Sequence, residues 1–197
     1  MLTTILLIIL SAVYWLLAPA ALLRFYMQLR SISFRGALGQ YVRAFTDWIV
    51  LPLRRIFKGT GYDWASLITA FLFELVYVFL ERAASFNFGY VTSPSGLVAW
   101  VIIAVFGIAI TALILMMAAL FIYVIISFLV PQDQNLVLVQ MGQMVNPWLR
   151  PIRRFVPLIG NIDLSPMVLS LLLYIAYVVL KGYLLGLVLG AVLGLLA

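Results

Sequence analysis

Four long apolar runs, at residues 2–23, 64–80, 97–130 and 167–197, leave this chain no water-soluble fold. With 66% of its residues hydrophobic and 9% charged, a soluble domain of this length could not cover its own apolar surface. Helices of this length suit the hydrocarbon layer of a bilayer, roughly 30 Å thick. The run at 64–80 is short, but Trp64 at one end and Glu81–Arg82 at the other suit the interfaces. The run at 97–130 would be about 50 Å long as one helix, so it must tilt, protrude or bend, with Gly107 a place to bend. The last run is interrupted only by Lys181–Gly182 and is read as one helix, since a single Gly is a weak breaker in lipid. The first holds Ala18-Pro19-Ala20, faintly like a signal-peptidase site. No basic residue precedes it and it exceeds a signal core, so a retained span is expected.

The connections repeat. Residues 47–66 read DWIVLPLRRIFKGTGYDWAS and residues 146–166 read NPWLRPIRRFVPLIGNIDLSP. Setting Pro52 against Pro151 places Arg54 and Arg55 opposite Arg153 and Arg154, and Gly61 opposite Gly160. A one-residue gap then places Asp63 opposite Asp163. The match continues into the apolar segments that follow. The expected fold class is therefore an all-α membrane protein of four transmembrane helices, arranged as two tandem helical-hairpin repeats at 1–96 and 97–197. Each repeat has an amphipathic, Arg-rich interfacial connection.

An even number of spans per repeat gives both copies one orientation. The net charge of +6 is carried almost wholly by Arg, and the Arg residues cluster in the two connections. The positive-inside bias puts both in the cytoplasm and both termini on the opposite side of a bacterial inner membrane. Such clusters at membrane margins bespeak orientation and anionic-lipid contact, and no nucleic-acid partner is expected. The chain lacks Cys and His, so disulfides, thiolate and imidazole metal ligands, a triad base and a thiol nucleophile are missing. No enzyme activity, cofactor or metal is expected.

On a helical wheel, Arg150, Arg153 and Arg154 share one face, opposite Trp148, Leu149, Ile152, Phe155 and Val156; in the first copy Arg54, Arg55 and Lys58 oppose Ile49, Leu53 and Ile56. This is the pattern of a short interfacial helix with its Arg face toward headgroups or a partner. Asn146–Pro147 is expected to cap and open that helix, and Pro157 and Gly160 to end it. Asp163 or Ser165 then caps the next span, with Pro166 in its first turn. Topology alone would account for the Arg residues; an Arg–Asp tie within each copy would account for their matched spacing as well.

The second stretch resembles the signature of the YggT (or YlmG) family of bacterial and plastid membrane proteins. Asn146, Pro147, Pro151, Arg153, Arg154, Gly160, Asp163, Ser165 and Pro166 stand where that pattern expects them, with Asn161 where a second Gly is common. The first copy departs further, with Asp47–Trp48 for Asn–Pro, Lys58 for the later Pro and Ala65–Ser66 for Ser–Pro. The resemblance implies a small integral membrane protein of the inner or plasma membrane without known catalytic residues. Its relatives are linked to osmotic and potassium homeostasis, to cell division and nucleoid or plastid organisation, and to haem attachment during cytochrome assembly.

Two further features bear on function. Glu74 lies inside the second span, where a carboxyl group is costly and by default a functional candidate. Its repeat counterpart is Tyr174, and about a pseudo-two-fold axis the two would lie at similar depth and could hydrogen-bond. It serves either as a polar tie between helices or as part of an ion or proton pathway. Gly182, Gly186, Gly190 and Gly194 recur every fourth residue, a stripe that lets another helix approach closely, from a protein partner or a second copy. The leading expectation is a non-enzymatic scaffold or assembly factor, binding anionic headgroups or a partner through Arg54, Arg55, Lys58, Arg150, Arg153 and Arg154. The alternative is an ion-transport or osmotic-adaptation component centred on Glu74.

Overall fold

The computed structural model describes residues 2–57, 62–84, 94–129, 136–156 and 163–193. These form six helices and no strand: α1 (Leu2–Leu29), α2 (Ala37–Ile56), α3 (Trp64–Ala84), α4 (Pro94–Leu129), α5 (Leu136–Ile152) and α6 (Ser165–Leu193). Four of them hold segments long and apolar enough to cross a membrane: Thr4–Leu29, Trp64–Glu81, Val98–Leu129 and Ser165–Leu184. The last apolar run is one helix through Leu193. Lys58, Gly61, Gly160 and Gly194 lie outside the described residues.

α1 pairs with α3, α4 pairs with α6, and α3 meets α4 between them. α2 packs on α1 and α3, while α5 packs on α4 and α6. The end of α1 explains how α2 comes back onto it. The Ile32 N–H donates to the Met27 carbonyl (2.8 Å) and the Ser31 N–H to that of Gln28 (3.1 Å). Ser31 has φ 53°, so this is a left-handed helix-ending turn, with Ile32 and Met27 buried against each other's turn.

The two shorter helices meet at this end. The Gln140 side chain of α5 donates to the Ser33 carbonyl (2.7 Å), and the Tyr26 hydroxyl of α1 to the Met144 carbonyl (2.8 Å). Gly36, just before α2, allows the approach, since a Cβ there would lie 2.6 Å from Leu136 Cδ2. Leu23, Met27, Val42, Met116, Leu120, Met144, Val145 and Leu149 form the main core beneath these contacts. Both connections therefore fold against the same end of α1.

The connecting helices differ from the short ones expected. Asn146–Pro147 does not open a helix: α5 starts at Leu136, and Pro147 and Pro151 lie inside it. An interior proline costs roughly 3 kcal/mol or more, and α5 offsets this by burying a face that includes Leu138, Met141, Met144, Val145 and Leu149. Gln143, whose carbonyl Pro147 leaves without its usual donor, is exposed, so that group is not sealed in the core. The helix ends at Ile152; Arg153 and Arg154 follow it in a turn, and Phe155 after them is exposed. In the first half, Pro52 is likewise interior to α2, whose buried face is Gly39, Val42, Thr46 and Val50. Ile56 lies outside that face and is exposed.

Candidate functional site

Where α1, α2 and α3 meet, the sequence brings together charges from three separate segments. Arg24, in the last turns of α1, is buried although charged. Its Nη1 donates to Thr46 Oγ1 (2.7 Å) and Asp47 Oδ1 (2.6 Å), and its Nε lies 3.9 Å from Asp63 Oδ2. Arg54 grips the same Asp63 in a fork, Nε to Oδ1 at 3.1 Å and Nη2 to Oδ2 at 2.5 Å, and Nη2 also donates to Gln28 Oε1 (2.9 Å). The Ser66 hydroxyl donates to Asp63 as well. Asp63 sits immediately before α3, and its carbonyl accepts the Ser66 N–H (3.0 Å), so one residue caps the helix and closes the connection.

The electrostatics follow from those partners. Burial pushes the Asp63 carboxyl up, but hydrogen bonds from Arg54 and Ser66 and the charges of Arg54 and Arg24 outweigh it and hold it below the ordinary carboxylate value. The hydrogen bond to Asp63 raises Arg54 above its ordinary value against the opposing effect of burial.

A second tie closes the other connection. Arg153 Nε donates to Asp163 Oδ2 (2.8 Å), its Nη1 reaches Asn146 Oδ1 (3.4 Å), and Asp163 Oδ1 accepts the Ser165 N–H (2.9 Å) at the start of α6. Burial again opposes both charges. Hydrogen bonds from Ser165 and then Arg153 nevertheless lower Asp163, and those to Asp163 and Tyr123 raise Arg153. This tie is the more open one: the Asp163 side chain is 28% exposed, against 2% for Asp63. Beside Asn146 stands Tyr123, both against Gly142, whereas beside Asp47 stands its salt-bridge partner Arg24. Pro166 falls in the first turn of α6, as expected.

Around these ties, Arg30, Arg35, Arg43, Arg55, Arg150 and Arg154 are exposed and form no salt bridge among the described residues. Exposed aromatics accompany them, among them Trp48, Tyr62, Trp64, Trp148 and Phe155. Arginines mixed with amphipathic rings are what a headgroup layer favours.

A separate polar cluster lies deep between the long helices. Glu74 of α3 does not meet Tyr174. Its Oε2 accepts the Tyr14 hydroxyl of α1 (2.5 Å), and the Tyr14 oxygen lies 2.7 Å from Thr111 Oγ1 of α4. Tyr14 has one proton, so Thr111 donates to Tyr14 and Tyr14 to Glu74. The Tyr14 ring also stacks on Tyr77 at 4.3 Å. Tyr174 faces outward on α6, 56% exposed and stacked with Tyr177. The expected pairing fails because α3 packs against α1 and α4, while α6 packs on α4 and α5. Gly107 lets the carboxyl group in: a Cβ there would overlap Glu74 Oε1. Among the described residues, nothing lies within 4 Å of where a Cβ would stand at Gly182 or Gly186; Gly190 is also within α6.

Arg24, Asp47, Tyr14 and Thr111 are the residues that sequence reasoning missed. Asp47 alone left a signal, as an acid at the position aligned with Asn146. Among the described residues no group of three or more His, Cys, Asp or Glu could hold a metal.

Fold and site together define a helical protein whose four long apolar helices fit a multi-pass membrane protein, with a basic end drawn together by Arg–Asp ties. The chain belongs to the CCB3/YggT family, whose model matches residues 1–84 and 99–184. It is similar to the uncharacterized protein YggT of Escherichia coli K12, at 34% identity over 169 residues, covering 85% of this chain and 84% of that one. An uncharacterized protein of Pseudomonas aeruginosa is 34% identical over 146 residues, covering 74% and 72%. One of Vibrio alginolyticus is 28% identical over 176 residues, covering 82% and 85%. No solved structure matches the chain.

Proposed function

We propose that this protein is a non-enzymatic inner-membrane scaffold or assembly factor, whose basic end lies on the cytoplasmic leaflet and docks anionic headgroups and a membrane-protein partner. One contrast carries the reading. Arg54 and Arg153 are committed to internal carboxylates, whereas Arg55, Arg150 and Arg154 beside them are exposed and paired with none among the described residues. Cations committed internally hold the connections in shape; cations left outward, among exposed Trp48, Trp148 and Phe155, are free to meet phosphates or acidic side chains. The cytoplasmic placement rests on the positive-inside bias.

Two tandem hairpins are part of this proposal. An Arg–Asp tie closes each connection, and the family model matches one stretch in each half. A partner helix is assigned to the outer face of α6, where Gly182 and Gly186 stand open.

The test is co-purification of the native protein from its own membranes in a gentle detergent. A membrane protein should be recovered at constant ratio through successive columns, and R55Q/R150Q/R154Q should lose it while remaining folded. A wild type that purifies alone, or a triple variant that keeps the same companion, would overturn the assignment.

A further inference from the structure

The turn after α1 and the adjoining face of α2 enclose a polar cleft of about 290 Å³, lined chiefly by Arg24, Gln28, Arg43, Asp47 and Arg54. Its charges do not cancel. Arg24 is answered by Asp47 and Arg54 by Asp63. Among the described residues Arg43 is answered by no carboxylate; its guanidinium rests over the Phe34 ring, 5.2 Å from the centroid, and Phe34 is itself part of the cleft wall. One positive charge is therefore left over, on an exposed side chain at the mouth of a cleft whose other cations are held in place by their own ties.

We infer that this cleft binds the phosphodiester of a phospholipid, with Arg43 as the mobile cation that closes on it. The inference deepens the headgroup contact proposed above and rests on that reading of the chain as a membrane protein. A phosphodiester carries a single negative charge, matching the single uncompensated guanidinium, and the planar donor fork of Arg suits phosphate oxygens. Position favours a lipid over a free ion. Gln28 lies next to the last residue of α1, and Asp63 just precedes α3, so the cleft sits where two spans end and headgroups begin. Phe34 gives the wall an apolar side for a glycerol backbone, and exposed Trp48 and Trp64 nearby suit the same layer.

Native mass spectrometry of the full chain in mild detergent, titrated with phosphatidylglycerol or phosphatidylethanolamine, tests this. Wild type should hold a single phospholipid saturably, R43Q should bind it at least about tenfold more weakly, and R43K should fall between. K181Q, which removes a cation on α6 outside the cleft, should bind as wild type does. Inorganic phosphate at millimolar concentration should leave the lipid in place. Unchanged binding by R43Q, or displacement by phosphate alone, would overturn the site. Because the partner test uses Arg55, Arg150 and Arg154, either result can fail without the other: a lost lipid site leaves co-purification standing, and an absent partner leaves the lipid adduct standing.

Discussion

Gly107 of α4 lies so close against Glu74 of α3 that any side chain at 107 would occupy the space of the carboxyl oxygen. The absence of a side chain is what lets the two helices trap this polar group between them, together with Tyr14 from α1. G107A should therefore cost about 1–3 kcal/mol, the usual range for forcing extra volume into a packed site. Y14F removes two interhelical hydrogen bonds, to Glu74 and to Thr111, each worth about 0.6 kcal/mol on average in lipid, and should cost about 1 kcal/mol. On an E74A background the space is vacated, and G107A should then be nearly neutral. Thermal melts in detergent of the four variants check this; additive costs for G107A and E74A would show that the two residues are not in contact.

The two Arg–Asp ties look alike in sequence and should behave differently. Asp63 is buried between Arg54 and Arg24, whereas Asp163 is partly open and, among the described residues, has Arg153 alone as its cationic partner. Removing one partner of a buried pair leaves a charge in a poor environment and costs about 3–5 kcal/mol; an exposed pair contributes about 0–1 kcal/mol. D63N should lower the melting temperature steeply and D163N only slightly. The swap R153D/D163R should recover what either single reversal loses. Equal melting shifts for D63N and D163N would refute the asymmetry.

Local spacing made some of this arrangement legible in the sequence, and long-range packing hid the rest. Arg54 and Asp63 are nine residues apart, Arg153 and Asp163 ten; with a turn between them, a tie within each connection is geometrically available from the chain alone. The apolar runs announced the long helices for the same local reason. Arg24, Tyr14 and Thr111 acquire meaning only from which helices lie side by side, and no periodicity reports that. Tyr174 was assigned to Glu74 by depth, but equal depth does not make neighbours when α6 packs on α4 and α5. Pro147 looked like a helix start because the rule for prolines at first turns is local, while the burial of Leu138, Met141 and Val145 that carries α5 through it is not.

Acid should loosen the basic end before anything else in the fold. Asp63 and Asp163 are both held below their ordinary values. A carboxylate depressed in the folded state stabilises it fully above the unfolded value, about 3.9, and that contribution is lost as pH falls through the lower folded value. The melting temperature should thus be insensitive to these two groups from neutral pH down to about 4 and drop below it. D63N has no carboxyl to protonate there, so its acid limb should be shallower, starting from a lower plateau. An acid limb identical to wild type in D63N would remove Asp63 as its source.

Whether the buried Glu74 is a strut or a stepping stone for ions can be decided from its hydrogen bonds. Glu74 accepts from Tyr14, which accepts in turn from Thr111, so three helices are tied through one acceptor. A glutamine carbonyl can take that role with the same reach, whereas leucine cannot and leaves the Tyr14 hydroxyl with Thr111 alone as its partner, so the tie to α3 is lost. Losing such a bond costs about 0.5–1.5 kcal/mol, and a bond to a charged group about 1.5–3 kcal/mol. For a strut, E74Q should melt close to wild type and keep its membrane companion, E74L should be clearly destabilised, and liposomes carrying wild type should pass no more ions than empty ones. A conducting wild type silenced by an equally stable E74Q would instead make the carboxyl group part of a pathway, because the amide preserves the tie and removes only the ability to exchange a proton or bear a charge.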